Sequence, residues 1–562
     1  MYQYNETDQR LILARASQFR DQLQRHLAGT LDDDAFKPLR LQNGWYVQRH
    51  APMLRVAIPY GALASRQLRA LSYIADTYDR GYGHFTTRQN LQFNWIPLVS
   101  SADVMDALAE VQMHGIQTSG NCIRNITTDA LAGVAPDEIA DPRPFCEILR
   151  QWSTLHPEFA FLPRKFKIAV SGAREDRVAA GWYDVGLHLV HDACGALGFR
   201  VQVGGGMGRT PVIGSVIREF LPWQELLNYC EAILRVYNGY GRRDNLWKAR
   251  IKILVRTEGA RFVDAVEREF AAIRDADGSA HRITDTEYAR VAAHFVAPSQ
   301  HPARWDAHVE PAEQRAFALW SGRNVRAHRD PGLRVVTLSL KRAGQAPGDV
   351  TAAQMRAAAD LADQFSSGEL RVTHQQNLVL PWVPEAALPA MWRQARTYGF
   401  ATPNIGLLTD IISCPGGDFC SLANARSIPI AADVQARFGD ISALLDIGDI
   451  DLNISGCINS CGHHHSGHIG ILGVDKDGAE WYQITLGGSD GSDRGNSAGP
   501  GKIIGRSFAA TEVVDAIEAI VDEYLDKRQD GERFIDCVAR LGIAPFAAAA
   551  NAVRHQTSEV TT

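Results

Sequence analysis

The chain has 562 residues, 45% hydrophobic and 22% charged, with a formal net charge of −6. Such a composition is ordinary for a globular protein, and the length suits three or four domains. A global nucleic-acid footprint is excluded, and no apolar run reaches the length of a membrane span. The opening MYQYNETDQR carries no signal-peptide pattern and only nine cysteines occur, so a cytoplasmic, reducing compartment is expected.

Residues 1–50 contain a charged helical pattern, LILARASQFRDQLQRHL, then LDDDAFKPLRLQNG, and read as an arm that wraps the body. Residues 51–116 read strand, helix, strand, helix: MLRVAIPYG (Met53–Gly61), SRQLRALSYIADTYDRG, HFTTRQNLQFNWIP (His84–Pro97) and DVMDALAEVQMHG. Residues 331–400 repeat that order with GLRVVTLSL (Gly332–Leu340), TAAQMRAAADLADQFSSG, LRVTHQQNLVLPWVP (Leu370–Pro384) and ALPAMWRQARTYG. The shared L-R-V aligns Leu54 with Leu333 and Arg55 with Arg334. The shared T-x-x-Q-N-L aligns Thr86 with Thr373 and Arg88 with Gln375. Each copy is half of a ferredoxin-like α+β unit, and the two are expected to complete one sheet about a pseudo-twofold axis.

Residues 117–330 lie between the copies and read as mixed α/β. Strands are expected at KFKIAVSG, FRVQVGG and ARIKILV, the last including Ile251–Val255. A helix is expected at TEYARVAAHFV, within the loosest connection by composition, Ser279–Arg329. VGGGMGRTP (Val203–Pro211) lacks the lysine of a phosphate-binding loop and reads as a backbone turn. Residues 401–562 hold a strand at HIGILGV, a Gly/Ser/Asp loop at Gly487–Gly501 and a long amphipathic helix, ATEVVDAIEAIVDEYLDKR.

The same region holds two close cysteine pairs, Cys414 and Cys420 in SCPGGDFC and Cys457 and Cys461 in SGCINSCGHH. Four thiolates suffice to hold an iron–sulfur cluster. Zinc knuckles have tighter, more regular spacings, so a zinc-binding structural module is the rival reading. Gly416, Gly417, Gly456 and Gly462 are expected to let backbone approach an inorganic core. The tract His463–His465 with His468 reads as support behind the cysteines or a surface loop. Basic residues stand at strand ends: Arg55, Arg88 and Arg124. Lys165 and Lys167 alternate, so both project from one face, and two cations in one small volume call for an anion.

FTTRQNLQF, CIRN, LPRKFKIAV, SCPGGDFC and SGCINSCG, in that order, resemble the siroheme-dependent sulfite and nitrite reductases, most nearly the haemoprotein component of assimilatory sulfite reductase. The resemblance implies duplicated ferredoxin-like half-modules with pseudo-twofold symmetry plus two mixed α/β siroheme and iron–sulfur domains. It implies a siroheme coupled to a 4Fe–4S cluster, with Cys414, Cys420, Cys457 and Cys461 as cluster ligands and Cys461 bridging to the siroheme. It implies that Arg55, Arg124, Lys165 and Lys167 surround the substrate anion. Arg88, Gln92, Gln376, Asn377 and Asn459 match positions that contact the macrocycle or its carboxylates. His84 and Asn94 stand where such enzymes carry other polar residues, and Cys122 stands where some ferredoxin-dependent relatives place a cysteine near the active site. By itself Cys122 reads as a packed thiol. The implied activity is the six-electron reduction of sulfite to sulfide, with nitrite reduction to ammonia as the alternative. No flavin or nicotinamide motif occurs, so electrons are expected from a separate protein, ferredoxin or an NADPH-dependent flavoprotein. One siroheme and one cluster per chain are expected, because one four-cysteine set and one R-K-F-K strand occur.

Overall fold

Two five-stranded antiparallel sheets form the half-modules. In spatial order the first contains Trp45–Val47, Pro52–Val56, Leu91–Phe93, Tyr82–Phe85 and Asp349–Thr351. The second contains Val325–Ala327, Leu333–Leu338, Leu378–Pro384, Glu369–Val372 and Ala62–Ala64. Each sheet therefore ends on a strand supplied by the other copy. The expected single sheet is corrected to two that exchange edges; a borrowed strand caps an edge that would otherwise expose unpaired backbone. The helices Ser65–Tyr78 and Ala352–Phe365 pack together, with Ser72 donating to the Ala352 carbonyl at 2.9 Å and Arg356 pairing with Asp76 at 2.6 Å. Thr351 and Gln354 form a capping box at the start of the second helix. Leu68, Leu71 and Ile74 share one core with Met355, Ala358 and Ala362, so the two copies bury their apolar stripes against each other.

The structure, a computed structural model, describes residues 3–154, 156–276, 281–298, 305, 307–492 and 497–554. Parts of the expected Ser279–Arg329 connection, and residues 493–496 of the Gly487–Gly501 loop, lie outside the described residues.

Each half-module leads into an α/β sheet. Thr127–Thr128, Ile168–Ser171 and Val185–His191 run parallel, and Leu197–Val203 and Ser215–Pro222 follow antiparallel. Ile412–Ser413, Leu452–Ser455 and Ile469–Lys476 run parallel in the same way, followed antiparallel by Ala479–Leu486 and then Lys502–Ile503. The register matches: Thr127 and Thr128 face Ala169 and Val170 in one, and Ile412 and Ser413 face Asn453 and Ile454 in the other. Counting on from those pairs, Ala179 corresponds to His463, and both hold φ of +56°. Gly186 corresponds to Gly470; an added Cβ would meet the Ala180 carbonyl oxygen at 2.5 Å and the His464 carbonyl oxygen at 1.9 Å. The duplication thus spans the α/β sheets as well as the half-modules.

The N-terminal arm is the helices Glu6–Leu27 and Asp33–Gln42, which bury Phe19 and Phe36 beside Trp45. Ile251–Val255 is corrected from strand to helix, Ile251–Glu258. Ile251 and Val255 lie one helical turn apart, and Val255 packs where a Cβ on Gly204 would come within 2.9 Å of it. The long C-terminal helix is Val513–Lys527, with Ile517, Ile520 and Tyr524 buried against the last sheet. Among the described residues no single helix is long and apolar enough to cross a membrane.

Candidate active site

Two duplicated hairpins set the site's floor. Gln89 and Gln376 both hold positive φ, +55° and +60°, at their turns. The Gln89 amide donates to the carbonyls of Val372 and Thr128, each at 2.9 Å. The Gln376 amide donates to the carbonyls of Phe85 and Ser413, each at 2.9 Å. Each side chain crosses to the other copy and ties its own hairpin to the first strand of an α/β sheet. Buried amides so satisfied fix both turns.

Above Gln376 lies a cavity of about 100 Å³. It gathers Arg55, Arg88, Arg124, Lys165, Lys167, Gln92, Gln376, Asn459, Cys414 and Cys461, and no carboxylate lines it. The cations arrive from separate elements. Arg55 stands on Pro52–Val56, directly opposite Gln92, whose amide oxygen accepts from it at 2.8 Å. Arg124 is held by the carbonyls of Thr118 and Gly120 at 2.7 and 2.8 Å. Arg88 donates to the Asn125 carbonyl at 2.5 Å and lies 4.9 Å from the Tyr183 ring centroid. Lys165 and Lys167 stand just before Ile168–Ser171, on either side of Phe166, which bridges to Ile123. Extended backbone there turns both ammonium groups into the cavity. Burial pulls Lys165 down to about 8 and Lys167 well below the usual lysine range; for Lys167, Arg88 and Lys165 add repulsion. Burial also lowers Arg88. Cations packed in a lining without carboxylates make this volume receptive to anions.

The cysteines come from the carboxyl ends of two adjacent parallel strands. Cys414 follows Ile412–Ser413, and Cys457 follows Leu452–Ser455. The Cys414 amide donates to the Ile454 carbonyl at 3.2 Å, and the Gly456 amide donates to the Cys414 sulfur at 3.3 Å. Cys461 raises the thiol pKa of Cys414, Cys420 and Cys457, each of which is raised first by burial, so the four sulfurs share one neighbourhood. Cys461 is the exposed member. Among the described residues, no three His, Cys, Asp or Glu side chains close round a single-ion position. The glycines are also needed for close packing of backbone. A Cβ on Gly416, Gly456 or Gly462 would come within 2.4 Å of the Ser427 hydroxyl, 2.6 Å of the Ala425 carbonyl oxygen and 1.9 Å of the Ile454 carbonyl oxygen. They let the two cysteine loops pack on each other.

Asn377 is corrected in place. It lines a second cavity, with its amide donating to Asp410 at 2.9 Å and its amide oxygen accepting from Leu340. Gln376 crosses to the other copy, and its neighbour faces the opposite way. His84 and Asn94 support the first cavity's wall: His84 pairs with Asp349 at 2.8 Å, and Asn94 accepts from Gln92. Cys122 donates to the Ser119 carbonyl at 3.0 Å and is absent from the lining. The turn Val203–Pro211 lies against the cysteine loop, with the Gly208 carbonyl bonded to His465 at 2.9 Å. His464 is 1% exposed, so the histidine tract is interior packing. His463, the first of the tract, reaches both cavities. Sequence reasoning missed Thr87, whose hydroxyl donates to the Cys461 carbonyl at 2.8 Å. Nothing local to Thr87 marks it; its partner is 374 residues away.

The family described as "Nitrite and sulphite reductase 4Fe-4S domain" matches residues 119–273 and 450–556, and its "ferredoxin-like half domain" matches residues 46–111 and 328–398. The chain belongs to the nitrite and sulfite reductase family. Both descriptions match twice, once in each copy. A "Sulfite reductase [ferredoxin] 1" of Mycolicibacterium paratuberculosis is 28% identical over 500 residues, 87% of this chain and 82% of the relative. The "Ferredoxin--nitrite reductase" of Synechococcus elongatus is 30% identical over 457 residues, 78% of this chain and 80% of the relative. The solved structure of the Mycobacterium tuberculosis NirA protein aligns with a TM-score of 0.76 at 26% identity, covering 94% of each chain. The family binds siroheme and a 4Fe–4S cluster, and the residues present fit both. Thiols are the donors a cluster takes, and a cationic, carboxylate-free cavity is what a polycarboxylate macrocycle requires.

Proposed function

We propose that this chain is the catalytic subunit of a ferredoxin-linked sulfite reductase, which carries out the six-electron reduction of sulfite to sulfide. The observation that carries the reading is the cavity that joins five cations, no carboxylate and the Cys461 thiol in one place. When bound, a siroheme coupled to a 4Fe–4S cluster supplies electrons at that place. Cys414, Cys420, Cys457 and Cys461 would hold the cluster, and Cys461 would serve the siroheme as well. The absence of a single-ion position among the described residues suits a polynuclear core better than zinc. Arg88, Gln92, Gln376 and Asn459, which line the same cavity, would hold the macrocycle and its carboxylates.

Arg55, Arg124, Lys165 and Lys167 bind the anion's oxygens. The two guanidiniums are braced by Gln92 and by loop carbonyls, so they orient charge without yielding protons. The lysine Nζ atoms hold the protons that oxygen needs as it departs, and their enclosure excludes bulk water from that transfer. The sulfite and ferredoxin assignments follow the mycobacterial relative's name. Nitrite is the second reading, favoured by the cyanobacterial relative's 30% identity. None of the nine cysteines is in a disulfide, which suits the cytoplasm.

The test is an absorption spectrum of the purified protein followed by kcat/KM for sulfite and nitrite with electrochemically reduced methyl viologen. Tetrapyrrole and cluster bands with preference for sulfite are expected. A colourless protein overturns the reading, and a preference for nitrite replaces it with the second.

A further inference from the structure

The second cavity takes no part in the reaction proposed above, yet it is the roomier of the two, at about 300 Å³. Among the described residues, six carboxylates line it, those of Asp129, Glu175, Asp410, Asp449, Asp451 and Asp490, against the guanidiniums of Arg177 and Arg326. The fold holds these carboxylates in place. Arg177 pairs with Asp129 at 2.7 Å and with Glu175 at 2.9 Å, and Arg323 pairs with Asp449 at 2.5 Å. Asp410 accepts from the Asn377 amide at 2.9 Å and from the Gly406 amide at 3.1 Å. Asp451 meets His468 at 3.7 Å, and Asp490 accepts from the Ser492 hydroxyl at 2.6 Å. The lining keeps more carboxylates than cations after this pairing.

Acidic groups alone would describe a solvated wall. The second observation is a pair of buried side chains in the same lining. Asn453 is 3% exposed; its amide nitrogen donates to the His463 carbonyl at 3.1 Å, while its Oδ1 is buried and has no hydrogen-bond partner among the described residues. His374 is 8% exposed, and its buried Nε2 likewise has no partner among them. Burial pulls His374 down to about 3, so its ring is neutral and can present Nε2 as an acceptor. Buried polar atoms left without partners are costly unless a ligand or a water meets them. Two such acceptors beside carboxylates call for N–H groups that carry positive charge. Asp129 and Glu175 belong to the first α/β region and Asp449 and Asp451 to the second, so the negative charge comes from both copies. Leu131, Val178, Val379 and Ile405 supply aliphatic surface to the same lining. Among the described residues, no three His, Cys, Asp or Glu side chains close round a single-ion position, so this charge is spread over a volume and not focused on a metal ion.

We propose that the second cavity is a binding site for an aliphatic polyamine, whose ammonium groups meet carboxylates of both copies together with Asn453 Oδ1 and His374 Nε2, and whose methylenes lie on the aliphatic part of the wall. The inference goes beyond the sulfite reductase reading and does not depend on it. A polyamine matches the lining in three respects. Its charges are several and separated, its N–H groups satisfy the stranded acceptors, and its chain between the charges is apolar. Partial enclosure strengthens each ion pair relative to one at the open surface. The volume lies at the lower end of the range for small-molecule sites, which suits a slender ligand.

The test is calorimetric titration of the holoenzyme with spermidine, repeated with Mg²⁺ at matched ionic strength and with a lysine-rich peptide. Asp451→Asn removes a carboxylate from the lining, and Gln375→Arg adds a cation to it. Asp446→Asn is the control, in an exposed ion pair with Arg528 outside the cavity. One spermidine per chain is expected for the wild type. Asp451→Asn and Gln375→Arg are each expected to raise its Kd about tenfold or more, and Asp446→Asn to leave it unchanged. Cluster and tetrapyrrole absorbance and viologen-driven turnover are expected to stay at the wild-type level in all three variants, which shows that they fold. Absence of saturable spermidine binding to the wild type overturns the proposal. So does an unchanged Kd in either cavity variant, and so does an equal loss in Asp446→Asn, which would mark diffuse surface charge. Displacement of spermidine by Mg²⁺ at matched ionic strength overturns it in favour of a metal site. Binding of the peptide without binding of spermidine overturns it in favour of a protein partner.

Discussion

The two copies hold cavities at corresponding places, and their linings are opposite in chemistry. Thr86, Thr87, Arg88 and Asn90 line the first; Thr373, His374, Gln375 and Asn377 line the second. Strand register carries the correspondence further. Arg55 faces Gln92 as Thr337 faces Val379, so Arg55 answers to Thr337 and not to Arg334, which pairs with Glu385 at 2.6 Å. Lys165 and Lys167 answer to Asp449 and Asp451, both in the second lining. Cys414, Cys457 and Cys461 answer to Asp129, Ala173 and Arg177, and Arg177 pairs with Asp129 at 2.7 Å and Asp137 at 2.8 Å. Where one copy offers thiols, the other is closed by an ion-pair network. Where one offers lysines, the other offers aspartates. Duplication supplied two cavities at corresponding places, and the charge of the lining makes the first the one suited to anions.

Removing a thiol from the first cavity is expected to have the largest effect. Cys461→Ser should abolish sulfite reduction and disturb the cluster and siroheme spectra together; normal spectra for both groups would refute the shared-ligand assignment. Neutralising a lysine comes next. Lys165→Met or Lys167→Met should lower kcat for sulfite by about 10²–10⁴-fold with siroheme content retained, as expected for a lost proton donor. Steady-state kinetics alongside pyridine extraction of the tetrapyrrole separates this from a loading defect. Iron and tetrapyrrole analysis should return one siroheme and one cluster per chain; a siroheme ratio near two would show the second cavity at work. Gln89→Ala should destabilise the fold by about 1–3 kcal/mol, since it strands buried backbone carbonyls, and thermal unfolding reads this directly. Smallest of all, Gln375→Arg restores only one of the missing cations. It should leave sulfite turnover within about twofold and load no second siroheme, because the aspartates and the Arg177 network remain.

Helical periodicity, the T-x-x-Q-N-L hairpins and the four cysteines were legible in the sequence because each is a local pattern. An apolar stripe at helical spacing signals its helix wherever it is placed, and thiols in close pairs signal shared ligation. The chain alone also brought Arg55, Arg88, Arg124, Lys165 and Lys167 to notice, and all five line the first cavity. Tertiary structure decided what depends on partners far along the chain. Matching L-R-V aligned Leu54 with Leu333, while the hydrogen-bonded ladder sets Leu54 against Phe93 and Val336 against Leu380, so Leu54 answers to Val336. Three shared residues weigh less than a register fixed by backbone pairing and by which side chains must be buried. The strand exchange, the turning of Asn377 away from Gln376 and the helical state of Ile251–Val255 have the same origin. Each is set by a surface supplied from elsewhere, such as Gly204 for Val255 or Asp410 for Asn377. The duplication of the α/β sheets escaped the sequence for a further reason. Its two copies retain a backbone path while their lining residues differ in charge, so the likeness lies in hydrogen bonds and left-handed turns rather than in residue identities.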